Sequence, residues 1–168
     1  SEILSPSHQD QGRLPRDPRA TCWEEAISLY QGPFLDDLTV RDAVDFEAWA
    51  LSVRAALEQR ALATLRQLAQ YHGERGDYER ACAVARREAE LAPWREGAHR
   101  RLMRWLAQSG QRATALKQYE ACCRLLMEEL GVRPDARTTA LYEAIRDGTL
   151  SRSSPLTPVP DLAGPLER

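Results

Sequence analysis

The chain has 168 residues, of which 43% are hydrophobic and 29% are charged, and its formal net charge is −2. These values are ordinary for a soluble globular protein and allow one domain with a real core plus some tail. The near-neutral charge argues against binding to nucleic acid by bulk charge alone, and no apolar run approaches the ~20 residues of a membrane span.

The cysteines do not indicate a metal or redox site. None of the four belongs to a C-x-x-C pair, and the three histidines are not spaced with them as zinc ligands would be. The simplest interpretation is reduced thiols in an intracellular protein. No signal-peptide core is visible at the start. We therefore predict a cytoplasmic protein with no cofactor and no metal.

The two ends of the chain have the composition of connecting segments. Residues 1–20 contain three prolines among mostly polar neighbours, and we predict a flexible N-terminal arm there. Residues 149–168 hold four of the ten prolines among serines, which predicts a linker to a further domain. The folded, helical part is expected at residues 21–148. The chain begins with Ser, which suggests a fragment with a neighbouring domain missing.

The apolar residues between these ends recur at helical spacing. A short helix is predicted around Trp23 to Tyr30, ended by Gly32-Pro33. A long helix follows, with a stripe from Phe46 through Trp49 to Leu68. Shorter stripes then mark four more helices, and no segment alternates with the period of a strand. Their main members are Ala81, Ala85 and Ala89; Ala98, Leu102, Trp105 and Leu106; Ala115, Tyr119, Cys122 and Leu126; Leu141 and Ile145.

Glycine, proline and aspartate mark where these helices end and begin. Gly76 can adopt the left-handed conformation that ends a helix, and Asp77 then offers an N-cap oxygen to the next one. Pro93 interrupts the helical pattern, and Gly110 repeats the role of Gly76. Gly131 with Pro134 and Asp135 form the last boundary of this kind.

The pattern repeats after 34 residues. Gly76 aligns with Gly110, Leu68 with Leu102, and Ala81 with Ala115. A helix, a tight turn and a second helix at this period are typical of tetratricopeptide repeats. The alanines would allow close helix contact and the leucines would fill the gap. We predict an all-α fold, a right-handed superhelix of antiparallel helical hairpins with an N-terminal helical cap.

The same residues resemble a known family. The segment YQGPFL at residues 30–35 and the block ALKQYEACCRLLMEELGVRPD at residues 115–135, followed by Leu141-Tyr142, look like the bacterial transcriptional activator domain. This is the tetratricopeptide-like module of the SARP-type antibiotic-pathway regulators and of larger relatives that append a STAND-type ATPase. The resemblance covers roughly residues 23–147.

The resemblance implies a regulatory function and no enzymatic activity. In that family the module usually follows a winged-helix DNA-binding domain, for which residues 1–20 are too short. We therefore expect no direct DNA binding by this chain alone, and protein partners instead: itself, neighbouring domains or the transcription machinery. A homodimer is what the resemblance suggests. The alternative is a free-standing tetratricopeptide adaptor that binds a partner peptide with no role in transcription.

A partner-binding groove is predicted on the first helix of each repeat. In the resembling repeats, these positions line a concave surface that holds peptides. The functional interpretation is a basic groove for an acidic segment. The alternative is a solvated face whose arginines pair with neighbouring acids such as Glu96. The residues concerned are Arg66, Gln70, Arg100 and Arg104, with Trp94 as an additional anchor.

The tryptophans divide into two groups. Trp49 and Trp105 lie on apolar stripes and are predicted to be in the core. Trp94 follows Pro93 at a turn between repeats. It would serve either as an exposed anchor for a partner or as a plug for the joint between repeats.

Overall fold

The computed structural model describes residues 17–35 and 44–150. These residues form six α-helices and, within the two ranges, no strand, which confirms the predicted all-α class. The right-handed superhelical course stays a prediction. The helices are α1 (Pro18–Leu29), α2 (Val44–Glu74), α3 (Tyr78–Leu91), α4 (Glu96–Gln108), α5 (Arg112–Leu130) and α6 (Ala136–Asp147).

Helix α1 begins earlier than the sequence pattern suggested. The Asp17 side chain accepts a hydrogen bond from the Arg19 N–H at 2.9 Å, and Pro18 occupies the first helical position. Residues 18–20 are therefore helical, and the prediction of a flexible arm is wrong for these three residues. Proline is compatible with the first turn of a helix as well as with a loop, because its fixed φ suits the helix and its missing N–H would be unpaired there in any case.

The turn between α2 and α3 is closed by Gly76. Its φ of 78° lies in the left-handed region, and its N–H donates to the Gly73 carbonyl at 3.1 Å. The N–H of Asp77 donates to the His72 carbonyl at 2.9 Å, and its side chain accepts from the Arg80 N–H, which caps α3. The predicted helix stop and N-cap are both confirmed.

The turn between α4 and α5 repeats this geometry 34 residues later. Gly110 has a φ of 83°, and its N–H donates to the Ala107 carbonyl at 3.1 Å. The N–H of Gln111 donates to the Leu106 carbonyl at 2.8 Å. The hydrogen-bond pattern is the same as in the first turn, so the 34-residue repeat predicted from sequence is a repeat of structure.

The residues predicted to make the helix contacts are in the core. Ala81 and Ala115 are completely buried, and Leu68 and Leu102 are almost completely buried. Ala81, Leu102 and Ala115 belong to one apolar cluster that extends from α2 to α6. Trp105 is also in this cluster, as predicted.

One close contact between the two hairpins involves a residue that the sequence pattern did not single out. Gly73 lies on α2 opposite the Trp105 ring of α4, and a Cβ atom at residue 73 would overlap that ring. The Tyr78 ring packs on the same indole, with 6.4 Å between ring centroids. The indole therefore fits only because residue 73 has no side chain.

Helix α6 lies beside α4 and runs in the same direction. Asp135, which caps α6, contacts the start of α4 through Glu96 and Arg100. At the other end, Ile145 and Leu150 lie against the end of α4. Helices α2, α4 and α6 thus form one row, with α3 and α5 behind it.

Helix α1 covers the opposite end of the array. Ile27 packs in a cluster with Ala61 and Leu65 of α2. The Arg87 guanidinium of α3 donates to the carbonyls of Ile27 and Tyr30 at 3.1 and 2.9 Å. Helix α1 therefore packs on α2 and α3 at the start of the array, where the N-terminal helical cap was predicted.

The prediction that Trp49 lies in the core is wrong. Its side chain is 50% exposed, and its ring contacts Phe34 and Phe46 at centroid distances of 6.1 and 5.6 Å. Apart from Ala50, every buried residue of α2 lies at or after Ala61. The stripe is continuous along α2, but α3 has only 14 residues and cannot cover the first half of a 31-residue helix.

His72 joins three helices at one corner of the domain. It is buried, with Nε2 3.7 Å from Glu24 Oε1 and Nδ1 3.9 Å from Asp77 Oδ2. Burial lowers the pKa of His72 below its ordinary value, and the nearby arginines add to this, although the two carboxylates act in the opposite direction. The folded domain therefore favours the neutral imidazole.

We predict that Gly73→Ala destabilises the domain by about 1–3 kcal/mol, because the added methyl group overlaps the Trp105 ring. Gly97→Ala is the matched control, since a Cβ at this other helical glycine would be 3.7 Å from its nearest neighbour. The control should be neutral or stabilising by up to about 1 kcal/mol. Urea unfolding of both variants measures the difference. Equal effects would contradict the proposed contact.

We also predict that His72 makes the stability depend on pH. Because its pKa is lower in the folded state, its contribution is complete above the unfolded pKa of about 6.5. It is lost as the pH falls through the folded pKa. His72→Gln should therefore flatten the stability profile below about pH 6.5. Denaturant unfolding of both proteins at a series of pH values measures this, and parallel profiles would refute it.

Candidate functional site

The row formed by α2, α4 and α6 carries four of the five residues predicted to bind a partner. Arg66 and Gln70 lie on α2, and Arg100 and Arg104 lie 34 residues later on α4. Since the two hairpins have the same turn geometry, equivalent positions on α2 and α4 face the same way. We call the surface that these four residues mark the first-helix face.

Arg100 is held by contacts within the domain. Its Nη1 donates to both oxygens of Asp135 at 3.1 and 3.0 Å and to Thr138 Oγ1 at 2.7 Å. The Oε2 atom of Glu96 is 3.9 Å from the same nitrogen and accepts from the Thr138 hydroxyl. This network ties the start of α6 to α4, so Arg100 has a clear architectural role on this face.

The charge of Asp135 is stabilised by the same network. Its desolvation raises the pKa, but hydrogen bonds from Thr138 and the Arg100 guanidinium outweigh this, and the net pKa is lower than the ordinary value. The ionised carboxylate therefore both caps α6 and neutralises Arg100.

Arg101, the next residue on α4, is also paired. It contacts Glu88 of α3 through two nitrogens, with Nε 2.7 Å from Glu88 Oε2 and Nη2 on Oε1. Glu88 is only 2% exposed. A buried carboxylate needs such a partner because desolvation is expensive for an isolated charge. This pair joins the two hairpins and faces away from the solvent.

Arg104 differs from both neighbours. Its side chain is partly buried, yet within residues 17–35 and 44–150 it forms neither an ion pair nor a hydrogen bond. Burial lowers the pKa of Arg104 below its ordinary value, and the positive charges of Arg100 and Arg101 lower it further. A guanidinium with five unused donors in this position is suited to an anionic group supplied from outside.

The two residues on α2 complete the face. Arg66 is exposed and has no described side chain as a partner. Gln70 donates from Nε2 to Glu74 Oε1 at 2.5 Å, while its Oε1 atom is buried without a described hydrogen-bond partner. The face therefore offers cationic donors at Arg66 and Arg104 with an amide between them.

Trp94 lies apart from these four residues. It is in the turn between α3 and α4 and is 53% exposed. The structure does not bring it into contact with the arginines. About half of its surface is therefore exposed to solvent.

Like His72, His99 of α4 is a buried histidine, and it is held by hydrogen bonds within the domain. Its Nε2 is 2.7 Å from the Pro93 carbonyl and its Nδ1 is 2.7 Å from Gln118 Nε2. Both ring nitrogens are therefore occupied in the structure. Among the described residues, no group of three His, Cys, Asp or Glu side chains could hold a metal ion, and no helix is long and apolar enough to span a bilayer.

Sequence reasoning missed two contacts that shape this site. One is the pair of Glu88 and Arg101, and the other is the contact of Gly73 with Trp105. A signal for the first was present, because Glu88 lies three residues after Ala85 on the buried alanine stripe of α3. A glutamate at that position must be paired when the helix is packed.

We predict that Glu88→Ala destabilises the domain by about 3 kcal/mol, because it leaves the largely buried Arg101 without a counter-charge. The matched control is Glu90→Ala, two residues further along the same helix on the exposed side. The control should change stability by less than about 0.5 kcal/mol. Thermal and urea unfolding measure both, and a neutral Glu88→Ala would contradict the role of the pair.

Comparison with known families gives one result. The family model described as the bacterial transcriptional activator domain matches residues 7–146, while no curated protein matches the chain. The match extends over the described helices α1 to α5 and all but the last residue of α6. That family is a regulatory one and is not known as an enzyme family. Because the match covers most of the sequence, the chain belongs to the bacterial transcriptional activator domain family.

Proposed function

We propose that this chain is a protein-interaction and oligomerisation module of a bacterial transcription activator, acting in the cytoplasm. It would position a winged-helix DNA-binding domain that lies outside this chain and would contact the transcription machinery or a neighbouring domain. The observation that carries the proposal, together with the family, is the partly buried Arg104 on the first-helix face, which has no acidic partner among the described residues.

The arrangement of charges supports an acidic partner. On α4, Arg100 and Arg101 each have a carboxylate within reach, whereas Arg104 has none among the described residues. A partly buried cation without a counter-charge is costly for the domain by itself. A carboxylate from another protein would remove this cost and gain charge-assisted hydrogen bonds, so the partner is expected to present an aspartate or glutamate.

The distribution along the row supports an extended contact rather than a point contact. Arg66 and Arg104 lie on neighbouring helices, with Gln70 on the same side of α2 as Arg66. A peptide or helix laid across α2 and α4 could meet all three. Arg100 would remain in its network with Asp135 and Thr138 and would contribute only to the local positive potential.

A transcription reporter tests the proposal. The chain is fused to an unrelated DNA-binding domain, and reporter transcription is measured in bacteria that carry the matching operator. We expect activation above that of the DNA-binding domain alone. Arg66→Glu with Arg104→Glu should reduce it at least about tenfold, because losing a desolvated charge pair costs about 2–5 kcal/mol.

The control keeps the change of charge and moves it to another face. Arg86→Glu with Arg124→Glu reverses two exposed arginines on α3 and α5, the helices behind the row, and should leave activation unchanged. Circular dichroism confirms that both variants are folded. An inactive wild-type fusion, or equal activity of the two double variants, would overturn the proposal. Capture of an acidic peptide by an inactive fusion would favour the adaptor without a role in transcription.

A further inference from the structure

The last hairpin of the array is incomplete in the described residues. Helices α2 and α4 are each followed, after a three-residue turn, by a second helix that packs behind them. Helix α6 lies in the same row, but no second helix follows it up to residue 150. Repeat arrays need their terminal apolar faces to be covered. We therefore expect another segment to lie where that helix would be.

The described residues cover an apolar stripe at this place only in part. On α5 it runs along one side of the helix at three- and four-residue spacing. Its exposure increases along α5, with Met127 50% and Leu130 56% exposed. Tyr142 of α6 joins it by stacking on Tyr119, with 4.3 Å between ring centroids. We call this surface the end face; on α5 it consists of Leu116, Tyr119, Cys123, Met127 and Leu130.

The turn after α6 has the same geometry as the turns that lead from α2 to α3 and from α4 to α5. Gly148 has a φ of 71°, and its N–H donates to the Ile145 carbonyl at 3.3 Å. The N–H of Thr149 donates to the Ala144 carbonyl at 2.9 Å. This is the pattern seen at Gly76 and Gly110, so the segment after Thr149 is directed to the position of the missing helix.

The following sequence cannot supply a helix of useful length. Pro155, Pro158 and Pro160 fall within six residues, and proline in a helix interior removes a hydrogen bond and clashes with the preceding turn. Such a sequence favours the polyproline II conformation, which has three residues per turn and a rise of about 3.1 Å.

The apolar residues of this segment have the period of that conformation. Leu156, Val159 and Leu162 follow one another at three-residue steps. Leu150 lies two steps further back and already packs against the main apolar cluster, with Ser153 between it and Leu156 in this register. One side of a polyproline helix would therefore be apolar from Leu156 to Leu162 and tethered to the core at Leu150, and proline-rich segments bind aromatic surfaces through such a side.

We propose that residues 151–162 of this chain dock in extended conformation on the end face and take the place of the missing helix. The dimensions agree. Leu116 and Leu130 are 14 residues apart on α5, or about 21 Å. From Leu150 to Val159 a polyproline segment extends about 28 Å, which brings Leu156 and Val159 to the exposed half of the stripe.

The tail has an advantage over any separate partner. It is attached at Leu150, so its docking is intramolecular and needs no encounter in solution. The docking would cover Met127 and Leu130. This inference is independent of the first-helix face, because α5 and α6 present the end face at the last hairpin.

Oxidation of methionine tests the proposal, because the chain has only two methionines and they lie in different environments. Met103 is completely buried and reports on the intact core, whereas Met127 lies on the end face. The purified 168-residue chain is treated with dilute hydrogen peroxide, and sulfoxide formation at each residue is followed by mass spectrometry.

We expect Leu156→Ser with Val159→Ser to accelerate the oxidation of Met127 several-fold and to leave Met103 slow. The control Leu166→Ser, outside the three-residue register, should oxidise like the wild type. An equal Met127 rate in the wild type and the double variant would overturn the proposal. Protection of Met127 that disappears on dilution would also overturn it, because a second copy of the chain would then be the occupant.

Discussion

The indole of Trp105 lies against the backbone of Gly73, and this contact limits how the two hairpins can pack, together with the contact of α3 with α4. A ring of this size can lie beside α2 only because residue 73 has no side chain. Within each hairpin, the completely buried Ala81 and Ala115 bring the second helix close to its first helix. The row of α2, α4 and α6, and therefore the first-helix face, follows from this packing.

The charge on the first-helix face depends on which arginines of α4 have acidic partners within the domain. Arg101 turns inward to Glu88, and Arg100 turns to Asp135 and Thr138 at the start of α6. Both pairs hold helices together, and each is stabilising only while both partners are present. Arg104 has the same chemistry but no described acid beside it. Two of the three neighbouring arginines thus hold the helices together, and the donors of the third have no partner in residues 17–35 and 44–150.

The two ends of the array are covered in different ways. At the front, α1 packs as a helix on α2 and α3, and Arg87 holds the carbonyls at its C-terminal end. At the back, α6 has no following helix among the described residues, and α5 leaves methionine and leucine exposed. The two ends of the array therefore differ. One end is covered by α1, and the other presents exposed apolar side chains of α5.

The sequence by itself determined the helices, their boundaries and the 34-residue repeat. These features depend on spacing along one chain and on local capping by residues such as Asp77, Gly110 and Asp135, so they can be read without knowing which helices meet. The main local error concerned Pro18, which begins α1, because proline is as compatible with the first turn of a helix as with a loop.

Only the tertiary structure decided which apolar and charged residues are used. Trp49 and Trp105 lie on equally regular stripes, but one is half exposed and the other buried, because α3 is too short to reach the first half of α2. Arg100, Arg101 and Arg104 look alike in sequence. Their different roles depend on where Glu88 and Asp135 arrive in space, and that position is set by helix packing rather than by distance along the chain.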